Sequence, residues 1–129
     1  MSDSWSTEML TAVDDSPEIE ISARHPDGRY LRFTPVWMVR HGDDVYVRTW
    51  YRRDTGWYGR AIQSRSARVR LGGMQTDVVV SDVGDIEGEI RSAVDAAYRT
   101  KYGRNGGSVG RMVGDEAAQT TLRLDLVDE

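Results

Sequence analysis

Four arginines, Arg48, Arg52, Arg53 and Arg60, fall within one short stretch that also holds Trp50, Tyr51, Trp57 and Tyr58. A guanidinium stays charged at any ordinary pH and forks onto phosphate or carboxylate oxygens. Aromatic faces stack on planar rings and also receive cations. Cations and rings interleaved in this way suit a planar, anionic ligand. A helix starting near Trp57, capped by Thr55, would add free N–H groups and the positive end of its dipole. Arg52 and Arg53 are adjacent, so both reach one ligand only where the chain turns. Asp54 is close enough to neutralise one of them. The same residues also read as a solvated arginine cluster, with the aromatics filling the core or a subunit interface, and the sequence leaves both readings open.

The chemistry that the chain excludes is easier to state. It has no cysteine, so thiol catalysis and cysteine-ligated metals are absent. His25 and His41 are the only histidines, both in expected loops, and a histidine-built metal site is not expected. No nucleophile, base and orienting group stand at a known spacing. The glycine-rich segment 103–107 matches neither GxxxxGK[ST] nor GxGxxG. Any catalysis would therefore belong to a bound cofactor, with the protein positioning it and a tyrosine such as Tyr51 or Tyr58 available as proton donor.

The charge of the chain is divided. Residues 1–23 carry six acids and no base; residues 24–70 carry eleven arginines against four aspartates; residues 71–129 carry six bases against eleven acids, leaving -4 overall. Lys101 is the single lysine among 17 basic residues. A basic middle in an acidic chain suits a small anionic ligand or an acidic protein partner, the latter a third, non-enzymatic reading in which salt would weaken binding steeply. It does not suit nucleic acid, for which no motif is present. No apolar run approaches the roughly 20 residues that span a bilayer, and the first residues lack the basic region of a secretory leader. A cytoplasmic protein is the default expectation, as one domain over 1–129.

The elements that must position these residues follow from periodicity. Trp5, Met9, Leu10 and Val13 lie at helical spacing in an N-terminal helix within residues 1–14, with Ser4 as a cap. Ile19, Ile21 and Ala23 alternate with Glu20 and Ser22 in a strand over 18–24. Pro26-Asp27-Gly28 turns the chain into a second strand, Tyr30–Arg40, in which both faces carry bulk and Pro35 marks an edge or a bulge. A hairpin at Gly42 leads into Val45–Tyr51. A short helix over 57–64 follows, then a strand in which Ala67, Val69 and Leu71 alternate with Arg68 and Arg70. Gly72-Gly73 returns the chain as Thr76–Val83, with Asp77 across from one of the two arginines. Asp85–Tyr102 carries the clearest helical stripe, Ile90, Val94, Ala97, Tyr98 and Tyr102 among it, and ends at Gly103. Residues 103–119 are a loop with short helical turns, and Thr120–Val127 is a last strand. Six strands joined by hairpins, with no βαβ repeat, imply an antiparallel sheet whose edges need closure, most simply as a small barrel.

That order resembles the split-barrel superfamily that binds FMN or the deazaflavin F420. More narrowly it resembles the bacterial family DUF2255. The resemblance rests on Glu18-Ile19-Glu20-Ile21, Thr34-Pro35-Val36-Trp37, Asp44-Val45-Tyr46-Val47-Arg48, Gly56-Trp57-Tyr58 with Arg60-Ala61, Ala96-Ala97-Tyr98-Arg99 with Lys101-Tyr102, and Thr120-Thr121-Leu122-Arg123-Leu124. It implies a six-stranded antiparallel split β-barrel with flanking helices, often a homodimer with its ligand sites between subunits. It further implies that Thr34, Pro35 and Val36 flank the cofactor ring, and that Arg48, Thr49, Arg52, Arg53 and Arg60 are the phosphate candidates. Trp37, Trp50, Tyr51, Trp57 and Tyr58 are left to face a substrate. Deazaflavin-dependent nitroreductases carry Pro-Trp-Tyr at the start of the short helix, where this chain has Gly56-Trp57-Tyr58. Two functions follow: a flavin- or deazaflavin-dependent reductase passing hydride to a small organic acceptor, or a cofactor-free barrel that binds an aromatic or acidic metabolite, as a binding module or as a cyclase or isomerase.

Overall fold

The computed structural model describes residues 5–16, 19–25, 27–49, 56–71, 73–83, 89–103, 110 and 113–126. Its strands are β1 (Ile19–Ala23), β2 (Thr34–Val36), β3 (Met38–His41), β4 (Asp44–Val47), β5 (Ser66–Leu71), β6 (Met74–Asp82) and β7 (Leu122–Leu126). Its helices are α1 (Thr7–Asp15), α2 (Gly56–Ser64), α3 (Glu89–Tyr102) and the single turn α4 (Asp115–Ala118). The strands form one antiparallel sheet in the order β2-β1-β5-β6-β7-β4-β3. Its two terminal strands are consecutive in the chain and separated only by Trp37, so the sheet is nearly closed into a barrel.

Seven strands appear where six are expected, because the expected strand Tyr30–Arg40 serves both ends of the sheet. Its first part pairs Thr34, Pro35 and Val36 with β1; its second pairs Met38 to His41 with β4. Val36 and Met38 both point into the barrel, so the alternation continues through Trp37 while the partner changes. A strand that switches partner in this way is how a sheet turns a barrel corner. Pro35 donates no ladder bond and sits on the short terminal strand, where one is not required on the open side. The chain enters that strand through a bulge. Arg24 lies opposite Tyr30, whereas Ile21 lies opposite Thr34, which leaves one extra residue in the 31–33 segment.

Inside the barrel, Ile19, Ile21, Met38, Val45, Val47, Val69, Val78, Leu122 and Leu124 are almost completely buried. Each such side chain contributes about 1.5–3 kcal/mol of hydrophobic free energy relative to exposure. Leu10 and Val13 of α1 and Tyr58 and Ala61 of α2 complete this core. The indole N–H of Trp5 donates to the Leu124 carbonyl at 2.9 Å, tying the approach to α1 onto β7. The cap of α1 is Ser6, two residues beyond the expected Ser4, because the Ser6 hydroxyl is the group that accepts the Met9 N–H, at 3.1 Å. A second apolar cluster lies outside the sheet. There Val94, Tyr98 and Tyr102 of α3 cover Val39 and Tyr46, and Trp37 stacks on Tyr102 with centroids 4.3 Å apart. The α3 tyrosines are thus core residues, as the helical stripe implies. The expected helix start at Asp85, residues 104–109 of the expected loop and Gly72 lie outside the described residues.

Lys101 joins three elements. Its ammonium donates to the carbonyl of Val13 near the end of α1 and, at 2.6 Å, to that of Met38 in β3. Burial lowers its pKa to about 8, against the opposing pull of Asp14 and Asp15. Arg40 reinforces the same junction through a 2.9 Å contact with Asp14.

Candidate functional site

On the outer face of the sheet, register aligns one residue from each of four neighbouring strands. Pro35 of β2 pairs with Glu20 of β1, Glu20 with Arg70 of β5, and Arg70 with Gln75 of β6. The alternation that sends Ile19, Ile21, Val69 and Leu71 inward sends Glu20 and Arg70 outward. Strands about 4.8 Å apart make this row span roughly 14 Å, enough for a planar multi-ring ligand. The row floors an open cavity of about 600 Å³, whose lining also includes Leu71, Gly73 and Met74. Cavities that take small ligands and cofactors fall in this size range, and the walls of this one, with Glu20, Arg70 and Gln75 in them, are more polar than apolar.

Two cations are laid on aromatic rings beside the cavity. The Arg70 guanidinium lies 3.8 Å from the centroid of Phe33, and its Nε is 3.6 Å from Glu20 Oε1. One row along, Arg68 lies 4.0 Å from the centroid of Tyr30 and donates to both oxygens of Asp77, at 2.7 and 3.4 Å. This bidentate bond raises the Arg68 pKa further above its already high value. It also settles which arginine Asp77 faces.

Of the ring-flanking candidates, Pro35 is exposed in the cavity lining, while Thr34 and Val36 turn the other way, opposite Ile21 and Ile19. Arg48 and Thr49 form part of a buried knot. Arg48 is only 1% exposed, its Nη1 is 2.6 Å from Asp95 Oδ1, and its Nε donates to the Thr121 hydroxyl at 2.8 Å. Its backbone N–H donates to the Tyr98 hydroxyl at 2.9 Å, and that hydroxyl donates to the Trp37 carbonyl at 2.7 Å. Burial pushes the Tyr98 phenol well above its ordinary pKa, so it stays protonated in this role. The Thr49 N–H donates to the Thr120 hydroxyl at 2.9 Å. Neither Arg48 nor Thr49 lines the cavity.

Arg60 is exposed on α2, where it donates to Gln63 at 3.0 Å. Tyr58 is buried in the core and Trp57 packs edge-on against it, with centroids 5.7 Å apart. One face of Trp37 is taken by Tyr102. Trp50, Tyr51, Arg52 and Arg53 lie outside the described residues. Among the described residues, no group of three or more His, Asp or Glu side chains is placed to hold a metal, and no helix is long and apolar enough to cross a membrane. Glu20, Arg70 and Gln75 were not legible as a site, because their alignment depends on the register of strands distant in sequence.

A family model described as an uncharacterized protein conserved in bacteria, DUF2255, matches residues 9–124. The chain belongs to the DUF2255 family. No curated protein matches it. Solved structures with the same fold include a conserved hypothetical protein from Mycobacterium tuberculosis, at TM-score 0.64 and 14% identity, covering 100% of this DUF2255 chain and 84% of the other. They also include HutZ, the heme storage protein from Vibrio cholerae, at TM-score 0.61 and 12% identity, covering 95% and 88%. A third is a candidate 5-nitroimidazole antibiotic resistance protein from Bacteroides thetaiotaomicron, at TM-score 0.56 and 12% identity, covering 96% and 81%. At these identities the likeness is one of fold, and function has to be argued from the site.

Proposed function

We propose that this DUF2255 chain binds a planar, anionic cofactor of the flavin class, FMN or F420, over the Pro35–Glu20–Arg70–Gln75 row, and acts as a small reductase. The observation that carries the reading is the cavity of about 600 Å³ lined by Pro35, one of the three residues that the family resemblance sets against the ring. Pro35 and Met74 offer apolar surface for a ring, and the Gln75 amide offers a donor and an acceptor for its polar edge. These residues fit the ring. Arg48 and Thr49 do not fit the phosphate, since the polar atoms described above are spent inside the fold.

A bound flavin would supply the hydride chemistry, and the chain would supply orientation and charge. The assembly proposed with this function is a homodimer in the bacterial cytoplasm. Calorimetric and absorbance titrations of the purified protein with FMN and with F420 test the reading. Saturable binding of either supports it, and no binding tighter than about 1 mM for both removes it.

The commitment of Arg48 and Thr49 favours a second reading, in which the same cavity takes an aromatic or acidic metabolite and no cofactor. A carboxylic acid that saturates the cavity when FMN and F420 do not would select it.

A further inference from the structure

We infer that Arg70 is the anion receptor of this cavity: it exchanges the Glu20 carboxylate for a carboxylate or phosphate oxygen of the incoming ligand. The inference rests on the cavity being the ligand site, and it does not require the ligand to be a flavin.

The two arginines of β5 have the same partners in kind and differ in how tightly those partners hold them. Arg68 has an aromatic ring beneath it and a carboxylate at 2.7 Å. Arg70 has an aromatic ring beneath it, but its carboxylate stands off at 3.6 Å. A charge-assisted N–H···O bond closes at about 2.7–2.9 Å. The Glu20–Arg70 contact is therefore an ion pair without a hydrogen bond, and among the described residues no acceptor is hydrogen-bonded to the Arg70 guanidinium. Phe33 orients the guanidinium through its flat face, which leaves the N–H donors on its edge available. A cation held in place with its donors unspent is prearranged for an oxyanion.

The surroundings specify the rest of the ligand. Pro35 and Met74 accept an apolar or planar body, and Gln75 lies directly across from Arg70. The class is a planar or apolar molecule with a carboxylate or phosphate on one edge. Glu20 acts as a placeholder. It neutralises Arg70 in the empty cavity and repels any anion that does not reach the guanidinium. The exchange costs little, because both side chains of the pair are close to half exposed, at 48% and 40%, and solvent screens a pair of this kind.

The test uses the full chain labelled with nitrogen-15 and follows the Arg70 Nε–H resonance, assigned by its absence in Arg70→Met. The probes are inorganic phosphate, benzoate and, as a neutral control, benzyl alcohol. Benzoate or phosphate is expected to shift the resonance saturably and benzyl alcohol to leave it in place. Glu20→Gln is expected to tighten the effective anion by about two- to fivefold, and Arg70→Met to abolish the saturable anion-induced shifts of the Met74 and Gln75 backbone amides while the dispersed amide spectrum of a folded protein remains. Stronger response to phosphate identifies a phosphorylated ligand, and stronger response to benzoate a carboxylate. No shift with either anion overturns the inference, as does an equal shift with benzyl alcohol or unchanged affinity in Glu20→Gln. If benzoate shifts Arg70 while FMN and F420 do not bind, the flavin reading fails and Arg70 keeps its role. If FMN binds and the Arg70 resonance stays in place, the flavin reading survives and this inference does not.

Discussion

The hydroxyl of Tyr98 donates to the carbonyl of Trp37 at 2.7 Å, fixing α3 to the one residue that separates the two terminal strands of the barrel. The same oxygen accepts the N–H of Arg48 at the end of β4. One buried phenol thereby pins the corner at which the barrel closes.

Replacing Tyr98 with Phe keeps the ring in the α3 cluster and removes only these bonds. Each net hydrogen bond is worth about 0.5–1.5 kcal/mol, and buried groups that lose a partner cost about 1–3 kcal/mol. Tyr98→Phe is expected to destabilise the fold by about 2–3 kcal/mol. In urea the midpoint should fall with the slope unchanged. A loss below about 0.5 kcal/mol would mean that the corner is held by packing alone.

Arg48 and Asp95 are expected to behave as a coupled buried pair. The Arg48 side chain is 0% exposed and that of Asp95 is 15% exposed. Asp95→Ala removes the Asp95 carboxylate from a buried guanidinium, and a change of this kind typically costs about 3–5 kcal/mol. The double variant Arg48→Met with Asp95→Ala is expected to be more stable than Asp95→Ala alone. A double-mutant cycle in urea reads the coupling, and strict additivity would contradict the pair.

Much of this fold is legible in local pattern. The alternation of Ile19-Glu20-Ile21 and of Ala67 to Leu71 gives β1 and β5 and their inward faces, and the stripe from Ile90 to Tyr102 gives α3. What escapes is set by distant partners. The resemblance makes Arg48 a phosphate candidate, and the sequence does not show its burial, which depends on Asp95 and Thr121, 47 and 73 residues further along the chain. The partner switch at Trp37 leaves no break in the alternation of Val36 and Met38. The Pro35–Glu20–Arg70–Gln75 row exists only once three strand registers are fixed. The aromatic and arginine cluster at 50–53, which carries much of the ligand argument in sequence, lies outside the described residues.

The end of α2 shows a local signal of another kind. Arg65 follows Ser64 in the left-handed region at φ 60°, where its N–H donates to the Ala61 carbonyl at 2.7 Å. This is the helix-terminating position that glycine usually fills, and a residue with a Cβ costs about 1–2 kcal/mol there. Arg65→Gly is expected to raise stability by about 0.5–1 kcal/mol, after the added freedom of the unfolded chain is counted. Thermal unfolding checks it. A fall in midpoint would show that the Arg65 side chain contributes more than its backbone costs.

Lys101 gives a pH dependence of defined sign. Its folded pKa of about 8 lies below the ordinary 10.5, so between those values the unfolded chain binds more protons than the folded one. The contribution of Lys101 to stability therefore rises with pH across that window and is flat on either side. The stability difference between the wild type and Lys101→Met, measured in urea from pH 7 to pH 11, is expected to move in favour of the wild type through this window. The constant part of the difference reports the bonds to Val13 and Met38; only the slope reports the titration. A difference independent of pH would place the amine in a more solvated setting.

The proposed seat of a planar anionic cofactor is the outer row of β2, β1, β5 and β6. Its most direct test is a backbone amide chemical-shift map of the nitrogen-15-labelled protein during titration with FMN. Saturable shifts are expected to concentrate at Glu20, Arg70, Leu71, Met74 and Gln75, with Val94 and Tyr98 in α3 unmoved. Shifts concentrated on α3 and the Arg48 knot, or no saturable shift at any residue, would contradict it.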